Sequence, residues 1–495
     1  MNYKKIFLNK FKYISALILC ATQVSVSAFN VSATETVDYA QAAEERKLLP
    51  IQSNETADWP EGPAITAEAA ILMEANTGTI LYAKNIHEEL YPASTTKILT
   101  CLLAVENASL DDTVTFSQTA VSSVPADGSS MGIDAGESLS LEECLYGIMV
   151  GSANEAANAV AEHVAGSIES FVELMNERAA ELGCTNTHFN NANGLQDSNH
   201  YTSAYDLALI SREFFDNELL SKIGNTARYH FTPTATQPDD FYLNNKHKLI
   251  NGEIAYDGIL GGKTGYTDLA RETLVTCAEQ NGMKLICVVF MDESPAQFTD
   301  TVTLFDYGFG NFQAVNVADN ETNYIPTDSS FFDSENDIFG SSSSLLEIDE
   351  SSYIILPKTS DITSTTSTVS FDLTEDETKD TLHIAKINYD YNGVAVGSAY
   401  VNAIQSAASS AFTSADTENE DTSDSSPASS QDTIYINIKL VLIIVLIVAT
   451  IIIAIIMLHS LFSSYSFSSQ RSDRRRMRRR KKEVKKGHNK FKHYD

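Results

Sequence analysis

An apolar run near the carboxyl end of the chain sets the first limit on how the chain can fold. The residues from Leu440 to Leu458 include no charged side chain. As a helix they would extend about 28 Å, which is enough to cross the hydrocarbon core of a membrane. The strongly basic segment that follows, RSDRRRMRRRKKEVKKGHNKFK, is typical of the cytoplasmic side of such a helix. We therefore predict a transmembrane helix over 434–462 and a basic cytoplasmic tail over 463–495.

The amino-terminal segment has the organisation of a secretory signal peptide. Four lysines precede an apolar stretch, and the small residues Val26, Ser27 and Ala28 offer a cleavage site. The alternative is an uncleaved anchor, which the short apolar core disfavours. We therefore predict a signal peptide over 1–28, and an exported body that a single carboxyl-terminal span holds at the membrane.

Charge and cysteine content exclude several classes of function. The chain has 34 Lys and Arg against 66 Asp and Glu, and much of the basic charge lies in the tail. A body this acidic argues against nucleic acid as a partner. Five cysteines lie after residue 28, and an odd number argues against a full disulfide framework in an exported protein. The spacing of cysteines and histidines matches no common metal site, and we predict no cofactor.

The chain between the two ends divides by composition. A hairpin pattern follows Ala69, and the middle of the chain has helical patterns that include the capping box SLEE. Strand patterns return near GGKTGYT, and we predict that its K-T-G motif lies immediately before a strand. This order predicts an α/β (α+β) domain over 60–312. Short β-like runs predict a small all-β domain over 314–403, and the acidic Ser-rich stretch over 404–433 predicts a linker. Residues 29–60 are polar and predict a loose segment.

One short motif has the spacing of a nucleophile and its base. The stretch YPASTTKILT sets Ser94 three residues before Lys97, at the start of an apolar run. Residues three apart share one face of a helix, so the lysine amine can reach the hydroxyl. A serine needs such a base to act as a nucleophile, and the lysine must be neutral to serve. By itself, however, this spacing fits an N-cap serine with a solvated lysine better.

Two further motifs favour the catalytic interpretation. GSANEA contains Ser152 and Asn154, and GGKTGYT contains Lys263, Thr264 and Gly265. The order S-x-x-K, S-x-N, K-T-G is the motif set of β-lactamases and penicillin-binding proteins. On these motifs the sequence resembles the low-molecular-mass penicillin-binding proteins that act as serine-type D-alanyl-D-alanine carboxypeptidases, peptidase family S11. The stretches NANGLQDSNHYTSAYDLALIS and TDTVTLFDYGFGNF are similar to this family as well.

The resemblance implies a fold, a reaction and a set of site residues. The fold is that of serine β-lactamases and penicillin-binding proteins, with an antiparallel sheet flanked by helices and an all-helical lobe. The substrates are peptidoglycan stem peptides, β-lactam antibiotics act as covalent inhibitors, and the enzyme works in cell-wall biogenesis outside the bacterial cell membrane. The catalytic roles are those of acyl-ester nucleophile, general base and proton relay, for Ser94, Lys97 and Ser152. Substrate binding falls to Asn154, Lys263, Thr264 and Gly265, and the amides of Ser94 and Tyr266 form the oxyanion hole.

The sequence departs from the family pattern at three places. Glu155 stands where the family usually has Asp, Arg271 stands where Gly is expected, and a full span replaces an amphipathic anchor helix. Related activities stay open: a D,D-endopeptidase or a transpeptidase of the same clan, or a β-lactamase. The β-lactamase needs an E-x-x-L-N loop that the sequence between Ser152 and Lys263 lacks. A more distant alternative is an inactive wall-binding receptor.

Overall fold

The structure is a computed structural model that describes residues 38–322, 324, 346–373 and 383–403. Its central element is an antiparallel sheet of five strands in the order β2-β1-β9-β8-β7. The strands of this sheet are β1 Ala69–Glu74, β2 Ile80–Lys84, β7 Ile259–Thr267, β8 Arg271–Gln280 and β9 Met283–Asp292. The predicted hairpin after Ala69 is therefore confirmed as β1 and β2.

Helices and two small hairpins occupy the chain between β2 and β7. Helix α2 Lys97–Asn107, whose first eight residues are buried, begins directly after the turn that contains Ser94. The other elements of this helical lobe are β3 Thr113–Thr115, α3 Gln118–Ser122, β4 Ser138–Ser140, α4 Leu141–Val150, α5 Asn154–Ala165, α6 Ile168–Glu181, α7 Ala204–Asp216, α8 Glu218–Gly224, β5 Arg228–Phe231 and β6 Phe241–Asn244. The predicted capping box is present at the start of α4.

The central sheet separates two apolar clusters because successive side chains of a strand point to opposite faces. In β1, for example, Ile71 packs in the cluster that contains α2, whereas Leu72 packs in the opposite cluster. The opposite face is covered by α9 Ala296–Asn311 and by a second sheet. Burial on both faces explains why β1 reads as a continuous apolar run rather than an alternating one.

The second sheet has six strands and follows α9 in the chain. Its first strand, β10 Phe312–Asn316, begins two residues before the predicted start of the β region, and the short α10 Val317–Asn320 comes next. The remaining strands are β11 Leu346–Ile348, β12 Tyr353–Pro357, β13 Thr366–Ser370, β14 His383–Tyr391 and β15 Val394–Ala403. The coarse fold class, antiparallel sheets with helices, is thus confirmed.

Two local predictions were wrong. Residues 39–46 form helix α1 (Tyr39–Arg46), because the Asp38 side chain accepts hydrogen bonds from the amides of Ala40 and Gln41 and caps the helix. The K-T-G motif lies inside strand β7 and not before a strand. The sequence does not indicate this strand because it contains three glycines, Gly261, Gly262 and Gly265. Glycine is depleted in strands and contributes no apolar pattern.

Within the part of the chain that the structure describes, no helix combines the length and the apolar character that crossing a membrane requires. The predicted signal peptide, linker, transmembrane helix and basic tail lie outside the described residues. The domain boundaries proposed from composition stay predictions.

Candidate active site

Ser94 lies in a tight turn that delivers it to the start of a buried helix. The turn Ala93–Thr96 is a single 3-10 turn, and Lys97 begins α2 immediately after it. Ala93 has a φ of +49°, a left-handed conformation that few residues other than glycine adopt. The Cβ of any residue at position 194 would meet the Ala93 carbonyl, so Gly194 permits the loop to pass this close. Two backbone constraints therefore fix the direction of the Ser94 turn.

Lys97 is fully buried and its amine faces Ser94. The Nζ atom lies 3.1 Å from Ser94 Oγ and donates to Asn154 Oδ1 at 2.7 Å. It also donates to the backbone carbonyl of Asn193. Burial, and next the positive charge of Lys263, lower the pKa of Lys97 well below its usual range. The amine is thus the kind of neutral base that an S-x-x-K serine requires.

Ser152 lies opposite, in the connection between α4 and α5. Its φ is +58°, which turns the chain sharply before Asn154 begins α5. The Lys263 Nζ atom donates a hydrogen bond of 3.0 Å to Ser152 Oγ. Asn154 contacts Lys97 and Ser152 contacts Lys263, so the S-x-N motif lies between the two lysines.

Strand β7 is the edge strand of the central sheet and forms one wall of the site. Lys263 is nearly inaccessible to solvent, and its Nζ also donates to the Thr264 carbonyl at 2.8 Å. Burial, and next the charge of Lys246, lower the pKa of Lys263 to about 7. A Cβ at Gly265 would come within 2.8 Å of the Ser94 amide nitrogen, so glycine allows the strand to approach the nucleophile.

The structure brings the predicted residues together at one site. The hydrogen bonds of the two lysines involve five of the predicted side chains, and Gly265 places β7 against Ser94. Tyr266 follows Gly265 in β7, and Thr267 donates a hydrogen bond to Gln196 Oε1 at 2.8 Å. This hydrogen bond joins strand β7 to the chain of the helical lobe just beyond Tyr266.

Sequence reasoning missed several residues that hold this site. Asn193 supplies the carbonyl that accepts from Lys97, and its side chain donates to Asn158 Oδ1 at 2.9 Å. His200 accepts from the Asn190 amide at Nδ1, so its Nε2 carries the proton and donates to Thr96 Oγ1. Burial lowers the pKa of His200 to about 4 and keeps the ring neutral. The family-like stretch NANGLQDSNHY contains Asn193 and His200 and was the available signal.

Glu155 serves the site from behind. Its Oε1 atom accepts hydrogen bonds from Ser130 Oγ at 2.6 Å, from the Met131 amide at 2.7 Å and from the Gly132 amide at 3.1 Å. The side chain is buried and ties the loop over 130–132 to the first turn of α5. The carboxylate at position 155 therefore holds this loop in place. Glu in place of Asp keeps a carboxylate here, so the departure from the family pattern is mild.

Among the described residues, no group of three or more His, Cys, Asp and Glu side chains could hold a metal ion.

The part of the chain that contains this site is similar in sequence to known proteins. The family model described as D-alanyl-D-alanine carboxypeptidase (Peptidase S11) matches residues 54–294. D-alanyl-D-alanine carboxypeptidase DacF of Bacillus subtilis is 38% identical over 253 residues, which cover 50% of this chain and 63% of DacF. DacB2 of Mycobacterium tuberculosis is 32% identical over 259 residues, which cover 50% of this chain and 84% of DacB2.

A third relative agrees in extent. The D-alanyl-D-alanine carboxypeptidase of Streptomyces sp. strain K15 is 31% identical over 258 residues, which cover 50% of this chain and 88% of the relative. The chain spans less than two thirds of the length of DacF, but most of the length of the other two. On these matches the chain belongs to the D-alanyl-D-alanine carboxypeptidase family, peptidase family S11.

Proposed function

We propose that the chain is a serine-type D-alanyl-D-alanine carboxypeptidase that removes the terminal D-alanine from peptidoglycan stem pentapeptides through an acyl-enzyme on Ser94. One observation carries this proposal above the others: the buried amine of Lys97 lies 3.1 Å from Ser94 Oγ, and burial and the charge of Lys263 lower its pKa. This is the arrangement that makes a serine hydroxyl nucleophilic without a histidine.

Acylation begins when Lys97 takes the proton of Ser94 and Oγ attacks the carbonyl carbon of the penultimate D-alanine. The amides of Ser94 and Tyr266 stabilise the oxyanion, which preorganised donors do at low energetic cost. The support for this step is the close approach of β7 to the Ser94 amide at Gly265. Asn154 holds Lys97 in place and orients the substrate amide.

Collapse of the intermediate breaks the peptide bond and releases D-alanine. Its amine receives a proton through Ser152, whose hydroxyl is hydrogen-bonded to the Lys263 amine. Water then attacks the ester with Lys97 again acting as the base, and Ser94 regains its proton when the tetrapeptide leaves. Acid and base exchange roles between the two steps, so the enzyme returns to its initial state.

Recognition of the terminal carboxylate falls to Lys263 and Thr264. A protonated lysine in a site without much water binds a carboxylate strongly, because charge-assisted hydrogen bonds gain strength at low local dielectric. The same positive charge lowers the pKa of Lys97. Substrate binding and base activation are thus coupled through one lysine.

A transpeptidase and an endopeptidase need different substrates and not different side chains, whereas a β-lactamase also needs the glutamate of an E-x-x-L-N loop. A transpeptidase passes the acyl group to an amine, and an endopeptidase accepts a cross-linked peptide at the same serine. A β-lactamase would release penicillin rapidly, and an inactive receptor would not be acylated. The Ser94–Lys97 contact favours an acylating enzyme over a receptor.

We further propose where the enzyme works. The second sheet, with the segment around it, forms a small β domain over 314–403, and the acidic segment over 404–433 connects it to a transmembrane helix over 434–462. The enzyme then acts on the extracellular face of the bacterial cell membrane, with the basic tail in the cytoplasm. The uncharged run from Leu440 to Leu458 supports the span.

The test combines two measurements on the full chain. Release of D-alanine from a pentapeptide that ends in D-Ala-D-Ala should be lost in Ser94→Ala and kept in Ser170→Ala, a serine on the exposed side of α6. Mass spectrometry after incubation with penicillin should show one adduct, on the peptide that contains Ser94. An adduct on a different peptide, or penicillin hydrolysis without a lasting adduct, would contradict the proposal.

A further inference from the structure

Arg271 has an unusual backbone conformation at the edge of the candidate site. The three-residue turn Asp268, Leu269 and Ala270 joins β7 to β8, and Arg271 begins β8 with a φ of +54°. In this left-handed conformation the usual residue is glycine, because glycine has no Cβ that would clash with the backbone. For an arginine the conformation costs on the order of 1–3 kcal/mol. Such strain persists only where the side chain makes contacts that offset it.

The Arg271 guanidinium has such contacts on three sides. Its Nε and one terminal nitrogen donate to the Glu293 carboxylate, the shortest contact being 2.7 Å. Its other terminal nitrogen donates to the Tyr266 hydroxyl at 3.2 Å. The centre of the guanidinium lies 3.9 Å from the ring centroid of Tyr39. Arginine's planar fork suits all three contacts at once, whereas lysine could keep only some of them.

These contacts connect β7 with the amino-terminal helix. Tyr39 is the first residue of α1 and lies on Arg271, while Arg46, its last residue, contacts Glu293 at 3.4 Å. Tyr266 also donates to Asp268 Oδ1 at 3.1 Å, so its side chain is held at both ends of the turn. As an edge strand, β7 is paired only with β8, and its end has no second neighbouring strand to hold it.

We propose that Arg271 is a positioning residue for the oxyanion hole, through which α1 holds the end of β7 and the Tyr266 amide in place. The inference rests on the proposed function, in which that amide stabilises the oxyanion. Preorganised donors matter mainly in the transition state, so loosening them should lower kcat and leave KM little changed.

The test compares variants of the full chain by D-alanine release and by the rate of acylation with penicillin. Arg271→Gly relieves the left-handed strain, so it should keep the melting temperature of the wild type. We expect kcat and the acylation rate to fall about tenfold, with KM within twofold. Tyr39→Ala should lower kcat in the same direction, and Tyr39→Phe should keep it, because phenylalanine retains the ring face that contacts the guanidinium.

Two further variants complete the test: a double variant of Tyr39 and Arg271, and a matched control. If Tyr39 acts through Arg271, the double variant should be no slower than Arg271→Gly alone. Asn281→Gly removes another left-handed non-glycine residue, in the β8–β9 turn, and should leave kcat unchanged. Arg271→Gly with wild-type kcat, a change in KM alone, or additive effects with Tyr39→Ala would each overturn the proposal. If Arg271→Gly has a lower melting temperature than the wild type, the kcat of Tyr39→Ala alone decides whether the proposal stands. A wild type that neither releases D-alanine nor binds penicillin would instead refute the proposed function.

Discussion

Lys263 and Ser152 are 111 residues apart in the chain, and their side chains are joined by a hydrogen bond of 3.0 Å. The lysine is buried and its pKa lies at about 7, so its charge changes near neutral pH. Below this pKa the group is a cation that can bind a carboxylate, and above it the free enzyme loses that charge. Lys97 behaves in the opposite sense, because it serves as a base only when it is neutral.

The opposite protonation states that the two lysines need predict a bell-shaped profile of kcat/KM for D-alanine release against pH. The pH dependence of kcat/KM reflects the ionisation of groups in the free enzyme. The rising limb follows loss of the Lys97 proton, and the falling limb begins near pH 7 as Lys263 loses its proton. Lys263→Arg should remain active at a reduced rate and should lose the falling limb near neutrality, because arginine stays charged. An unchanged falling limb in this variant would assign it to another group.

Removal of the base should be as damaging as removal of the nucleophile. We expect Lys97→Ala to abolish labelling by fluorescent penicillin to the same extent as Ser94→Ala, and the double variant to be no worse, because the two residues act as one unit. Lys222→Ala, at an exposed position in α8, is the control and should label normally. A Lys97→Ala protein that keeps a tenth of wild-type labelling would show that a different group is the base.

Gly265 should tolerate no side chain. A Cβ there would lie 2.3 Å from Thr273 Oγ1 and 2.8 Å from the Ser94 amide nitrogen. Gly265→Ala should therefore push β7 away from Ser94 and lower the acylation rate at least a hundredfold, since one lost oxyanion donor alone costs about that much. Gly310→Ala is the matched control: its Cβ would contact nothing, and alanine favours the helix. Normal acylation of Gly265→Ala would exclude the proposed oxyanion hole.

The cysteines should be free and unreactive in the folded protein. Cys277 pairs with Ile286, and Cys287 pairs with Thr276, so the two side chains point to opposite faces of the sheet. This register follows from the two-residue turn at Asn281 and Gly282, which the pair of Gln280 and Met283 closes. We expect five thiols to react with a thiol reagent after denaturation without reductant: Cys101, Cys144, Cys184, Cys277 and Cys287. Only slow reaction should occur before denaturation, because burial raises the pKa of each thiol. A count of three or fewer would indicate a disulfide.

The chain should not need its predicted anchor for chemistry. A protein that ends near Gln431 should be soluble and should release D-alanine at the rate of the full chain, because the residues described at the site, and Arg271 and Glu293 beside it, all lie far before Gln431. Replacing the basic residues from Arg474 to Lys482 should alter the topology of the full chain and leave hydrolysis unchanged. Normal penicillin binding combined with lost peptidase activity in the truncated protein would assign a catalytic role to the removed segment.

Spacing in the sequence was sufficient to predict which residues lie together at the candidate site, but not all the residues that support them. Ser94 and Lys97 could be paired because a helical turn brings i and i+3 together, and the turn at Asn281 set the register of β8 and β9. The carbonyl of Asn193 could not be predicted, since a backbone oxygen has no sequence signature. Helix α1 was missed because its stability comes from the Asp38 cap and from Arg46, which is buried through a hydrogen bond to the Thr66 carbonyl.

The pairing of β1 with β9 also sets the order in which the site can form during synthesis. Ala69 lies opposite Phe290, so the first strand of the sheet waits for more than two hundred later residues before it has a neighbour on that side. Ser94 and Lys97 leave the ribosome long before Lys263, and β7 is held only once β8 and β9 exist. A partly made chain therefore contains the nucleophile without its oxyanion hole. If the proposed function is right, hydrolysis begins only after the whole sheet has been translated, and a chain that ends before β9 should release no D-alanine.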